Sequence, residues 1–157
     1  LEDLAMAEYI YNDIQLIQPG ASALLNTAIG CNKGYVIHRA GSGILTLRGI
    51  VNNPCANFAR YRVAFDGNIA VPEGSTPGEI QLALAIGGEV VPTSIATATP
   101  TVAEAYWNVN GFAIIDVPKG CCYTISVENA SVSETPATTP ALPLNLRNLN
   151  VEVTRLA

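Results

Sequence analysis

Charge is what this sequence has least of. Asp, Glu, Lys and Arg make up 13% of its 157 residues, against roughly a quarter in an average soluble chain. The 8 basic residues are outnumbered by 13 acidic ones, for a formal net charge of −5. That argues against a nucleic-acid binder, because phosphate affinity rests on clustered Lys and Arg. The lone histidine, His38, leaves little for zinc or general acid–base chemistry. Long apolar runs are missing too: the most apolar stretch, residues 80–91, is interrupted by Gly87, Gly88 and Glu89. It falls far short of the ~20 residues of a spanning helix, so no membrane insertion is predicted. The first residues show no basic stretch leading into an apolar run, so no secretory signal is predicted. Disorder is excluded from the other side, since 49% of the chain is hydrophobic.

Catalytic constellations are equally scarce. A Cys–His nucleophile needs its base within hydrogen-bond reach. His38 follows Cys31 by seven residues, about 20 Å along an extended strand. The acids are scattered singly rather than paired as glycoside hydrolysis requires. Asp66 and Asp116 stand beside turn residues and read as turn caps. The Gly41-Ser42-Gly43 piece lacks the Lys-Ser/Thr and following helix of a phosphate loop. The expectation is therefore no catalytic residue, no cofactor and no metal. The four cysteines, Cys31, Cys55, Cys121 and Cys122, have no Cys-x-x-Cys spacing. They read as small buried hydrophobes or one long-range disulfide. Cys31 and Cys55, both at strand-end turns, are the first candidate pair. The sequon at Asn129, Ala130 and Ser131 reads as a chance match without a signal for secretion.

What the chain does have is short alternating segments punctuated by 13 Gly and 10 Pro. Ile14 and Leu16 alternate with Asp13 and Gln15. Leu45 and Leu47 alternate with Thr46 and Arg48. Tyr61, Val63 and Phe65 alternate with Arg60, Arg62 and Ala64, and Asp66-Gly67 reads as a hairpin turn. Ile80, Leu82, Leu84 and Ile86 lead into a second turn at Gly87-Gly88. Tyr123, Ile125 and Val127, then Leu149, Val151 and Val153, repeat the style. This period of two marks half-buried strands. The pattern predicts an all-β antiparallel sandwich or barrel, with one helical turn allowed over residues 4–11. Residues 1–5 read as a vector-derived linker, with Met6 the expected native start. Residues 6–157 form a single domain in which 131–143, rich in Ser, Thr and Pro, is an exposed loop. So little charge suits a surface largely buried against other copies. Tyr106, Trp107, Asn108 and Asn110 make a candidate sugar-stacking platform.

Several segments resemble a group of small proteins from gut Firmicutes and their phages. They are residues 31–39 (CNKGYVIHR), 42–49 (SGILTLRG), 58–63 (FARYRV), 68–72 (NIAVP), 81–85 (QLALA), 117–122 (VPKGCC) and 149–155 (LNVEVTR). Those proteins are in turn similar to the tumour-necrosis-factor-like jelly roll, also found in the complement globular domain and at the tips of collagen-like spore-surface fibres. The resemblance implies a jelly-roll sandwich of about ten strands that assembles as a homotrimer without catalytic machinery. Candidates for the trimer interface are Tyr61, Phe65, Tyr106, Trp107 and Phe112. The expected role is a structural or adhesive module of a phage virion: a fibre tip, a decoration or a receptor-binding protein. The alternatives are a bacterial spore or cell-surface protein of the same fold, or a carbohydrate-binding module or carbohydrate-active enzyme on a sandwich. Expected partners are other copies of itself, other virion or surface proteins, and a host-surface glycan. The expected location is the virion or bacterial surface.

Overall fold

A computed structural model describes residues 6–31, 35–49, 55, 57–133 and 140–156. Residues 1–5, and with them the linker reading, lie outside the described residues, as do 134–139 of the Ser/Thr/Pro loop. Twelve strands are present among those described: β1 (Met6–Tyr11), β2 (Gln15–Ile17), β3 (Thr27–Cys31), β4 (Val36–His38), β5 (Leu45–Arg48), β6 (Phe58–Ala70), β7 (Ile80–Ile86), β8 (Glu89–Val90), β9 (Ala96–Ala98), β10 (Trp107–Pro118), β11 (Cys122–Asn129) and β12 (Leu144–Arg155). The one helical element described is a single 3-10 turn, Pro92–Ser94. No helix of the described residues is long and apolar enough to cross a membrane.

The strands form two antiparallel sheets. The first runs β10-β6-β12-β1-β3, with β2 also paired to β12. The second runs β4-β5-β11-β7-β8, with β9 also paired to β7. From β5 to β7 and from β10 to β12 the chain changes sheet at each long strand, which is the winding of a jelly roll. Alternation explains the layering, because successive side chains of a strand point to opposite faces. Tyr61, Val63 and Phe65 of β6 and Leu149, Val151 and Val153 of β12 point inward, against Leu45, Leu47, Leu82, Leu84, Ile125 and Val127 of the second sheet. Burying each Leu or Phe contributes about 1.5–3 kcal/mol.

Three expectations need correction. Residues 6–11 are strand, not helical turn: Ala7 and Tyr9 go inward while Met6 stays in water, a period of two. Asp66-Gly67 is not a hairpin turn but the middle of the 13-residue β6. Gly67 is there for space, since a Cβ would stand 2.7 Å from Leu146 Cδ1. Ile14 and Leu16 are exposed and Ile17 is buried. The ladder to β12, with Ile17 opposite Leu144, holds this segment in the opposite register, and the Gln15 amide pairs with both backbone groups of Leu24. The Gly87-Gly88 turn stands as expected, joining β7 to β8 with φ of +60° and +87°, a conformation that favours glycine.

Candidate interaction surface

The outer face of the first sheet carries the chemistry. Strand register arranges its side chains in rows. One row runs Phe112 (β10), Ala64 (β6), Glu152 (β12), Glu8 (β1), Ile29 (β3). The next holds Ile114, Arg62, Thr154 and Met6, and a third pairs Asp116 with Arg60. Phe112 is 55% exposed and Ile114 50%; Phe58, Met6 and Ile29 are also exposed. A sheet face that leaves this much large apolar surface in water is uncommon for an isolated domain.

Charged groups bracket these side chains. Arg60 donates Nε and a terminal guanidinium nitrogen to the two Asp116 carboxylate oxygens, at 2.8 and 3.0 Å, a two-point geometry. The hydrogen bond from Arg60 holds the Asp116 carboxyl below its ordinary pKa, and Asp116 in turn raises that of Arg60. The Arg60 guanidinium lies 4.9 Å from the Phe58 ring centroid, and Arg62 lies 5.0 Å from that of Phe112. Arg62 also reaches Glu152 at 3.8 Å. Glu8 and Glu152 face each other in register, where like charges repel. The Asn150 amide relieves this by donating to Glu8 at 2.7 Å. Between Arg62, Phe112, Asp66, Asn110, Asn150 and Glu152 lies a shallow hollow of about 300 Å³, which Ala64 also lines.

Of the five interface candidates read from the sequence, Phe112 is on this face. Tyr61 and Phe65 are not: they are 0% and 1% exposed, intrachain core, because odd-numbered residues of β6 point between the sheets. The Tyr61 hydroxyl donates to the carbonyls of Arg48 and Tyr35. Tyr106 is half-buried under Arg147, whose guanidinium stands 4.5 Å from its ring centroid. Burial pushes its phenol pKa up. Trp107 is half exposed at the first residue of β10. The sugar platform divides by strand alternation: Asn108 and Asn110 pair in register with Asn68 and Asp66 on the outer face, and Trp107 takes the other side of the strand. Asn108 is also occupied, donating to Asp66 at 2.7 Å.

Other readings are revised as well. Asp66 and Asp116 are sheet residues with side-chain partners, not turn caps. Cys121 and Cys122 are exposed free thiols rather than buried hydrophobes. The side chain of Cys31 lies outside the described residues, and so does its pairing with Cys55, which is itself exposed. His38 donates Nε2–H to the Ser42 carbonyl at 2.9 Å and packs edge-on to Tyr9, a structural setting. Asn129 is buried, donating to the carbonyls of Ile17 and Leu142 and accepting from the Ser131 amide. It anchors the start of the 131–143 loop, a role the sequon pattern concealed. Among the described residues no group of three or more His, Cys, Asp or Glu is placed to hold a metal ion.

Strand order, winding and two-layer core define a jelly roll of the tumour-necrosis-factor-like and complement globular type. Solved structures similar to it include the globular domain of zebrafish complement 1qA protein, with a TM-score of 0.59 and 15% identity over 98% of this chain and 97% of that one. The Eiger TNF of S. frugiperda aligns with a TM-score of 0.64 at 10% identity, over 98% and 93%. Murine APRIL aligns with a TM-score of 0.61 at 9% identity, over 98% and 100%. No protein-family profile and no curated protein sequence matches the chain.

Proposed function

We propose that this chain is a non-enzymatic structural or adhesive module that works as a homotrimer, with the outer face of the first sheet as the contact between copies. The observation that carries this is the exposed apolar set Phe58, Phe112 and Ile114 on a sheet face laced with ion pairs. Obligate interfaces resemble a core cut in half, and aromatic residues with Arg are enriched in their centres. Sharing that face among copies also accounts for a chain with so few charges. The setting we assign is the surface of a particle: a phage virion component such as a fibre tip, decoration or receptor-binding protein. The same module on a bacterial spore or cell surface is the close alternative. Sequence resemblance supports both.

Light scattering behind a sizing column tests the assembly. The expected mass is near three times the 16.5 kDa of one chain, unchanged in reductant. Phe112→Glu, which places a charge in the face while leaving the core alone, is expected to give monomers with an unchanged circular dichroism spectrum. A wild-type monomer would overturn the trimer. Peptide mass spectrometry of purified phage particles tests the setting, and absence of the chain there would move it to the cell.

A further inference from the structure

All four cysteines of the chain belong to segments gathered at one end of the sandwich. At that end of the first sheet Pro118 pairs with Phe58, and Met6 pairs with both Thr154 and Cys31, the last residue of β3. In the second sheet Cys122, the first residue of β11, pairs with Arg48. The Gly49 amide donates to the Cys121 carbonyl at 2.9 Å, and the Lys119 amide donates to the carbonyl of Asn57, two residues beyond Cys55. Residues as distant in sequence as 31 and 122 thus reach one pole. At its rim the turn after β10 presents two adjacent thiols, both exposed.

We propose that this pole is a covalent cross-linking site, at which Cys121 and Cys122 form disulfides with a second copy of this chain. The two thiols are poorly placed for each other. Neighbouring side chains at the start of a strand diverge to opposite faces, whereas a relaxed disulfide needs Cβ atoms about 3.5–4.5 Å apart. Both are open to a thiol from outside, and two thiols let one chain bond to two neighbours. The pole borders the outer sheet face at Phe58 and Met6, and cross-linking there adds a covalent contact beside the one the sheets make. The oxidant is a small disulfide such as glutathione disulfide. A thiolate of Cys121 or Cys122 attacks one sulfur of it, forming a mixed disulfide and expelling a glutathione thiolate, which takes up a proton. A thiolate of the second copy then displaces the remaining glutathione. Two protein thiols become one disulfide as one glutathione disulfide becomes two glutathiones.

The full chain is incubated with glutathione disulfide at pH 8 and read by non-reducing gel and intact mass. Covalent species of two or more chains are expected, reversed by dithiothreitol. They are expected to be lost in the double variant Cys121→Ser/Cys122→Ser and kept in Cys55→Ser. Three outcomes overturn the proposal: single chains carrying only glutathione adducts, single chains lighter by two hydrogens, or cross-linking that survives the double variant. Circular dichroism of the double variant in reductant shows whether it is folded. Native mass in reductant reads sheet-face association separately, so failure of one assignment does not imply failure of the other.

Discussion

Glu128 sits on β11 beside Ala83 of β7 with only 7% of its surface exposed, and burial pushes its carboxyl pKa up. The folded chain therefore favours the protonated form more than the unfolded chain does. Stability from that preference is complete below the ordinary Glu value and is lost as pH rises through the raised one. Glu128→Gln keeps the shape and removes the buried charge. It is expected to raise the melting temperature at pH 7, by about 2–4 °C for each kcal/mol recovered. The gain should close in acid, and an equal gain at both pH values would sink this account. Tyr61 is the opposite case, a buried group with satisfied partners. Tyr61→Phe removes its bonds to the carbonyls of Arg48 and Tyr35 and is expected to cost about 1–2 kcal/mol in urea unfolding near neutrality. Burial raises the Tyr61 phenol above its ordinary value. Its stabilisation is thus full below about pH 10 and fades as pH climbs through the raised value. The variant should lose less stability than the wild type as pH rises above about 10.

At the scale of elements, β6 shows what was legible and what was not. Its alternation fixed which residues face the core, and Tyr61, Val63 and Phe65 are all buried. Its length was hidden, because Asp-Gly, like Asn-Gly, is a strong local signal for a tight hairpin turn and here stands inside a strand. The reason is tertiary: Leu146 of β12 occupies the space a side chain at position 67 would need. Gly67→Ala is expected to destabilise by about 1–3 kcal/mol through overpacking, since Leu146 is itself wholly buried. A thermal melt indistinguishable from wild type would show that the core can yield there. β1 misled in another way. Six residues without β-branching at most positions say little locally, and β1 is a strand because β12 and β3 flank it. The same holds for Ile14 and Leu16, where the pairing of β2 with β12 puts Ile17 in the core and leaves Leu16 in water.

For the whole molecule, the fold was readable because period-two patterning repeats from end to end, but the candidate surface was readable only in part. A sandwich sheet has two faces, and aromatic residues suit both; the parity that buries Tyr61 and Phe65 leaves Phe112 outside. Arg60 and Asp116 are 56 residues apart, and nothing local marks them as partners across β6 and β10. That pair offers the sharpest test of the assembly. In the free chain it is partly solvated, so by itself it adds little to stability. Between copies it would be shut away from water, where removing one partner strands the other charge and replacing both by apolar groups of similar volume does not. Asp116→Ala is therefore expected to weaken association, seen as dissociation at a higher protein concentration in sedimentation runs. The double variant Arg60→Met/Asp116→Leu should associate at least as well as wild type, an interaction between the two sites of opposite sign to simple additivity. If the single variant sediments like wild type at every concentration, this pair stays in water in the assembly, and the contact between copies must lie on another part of the sheet.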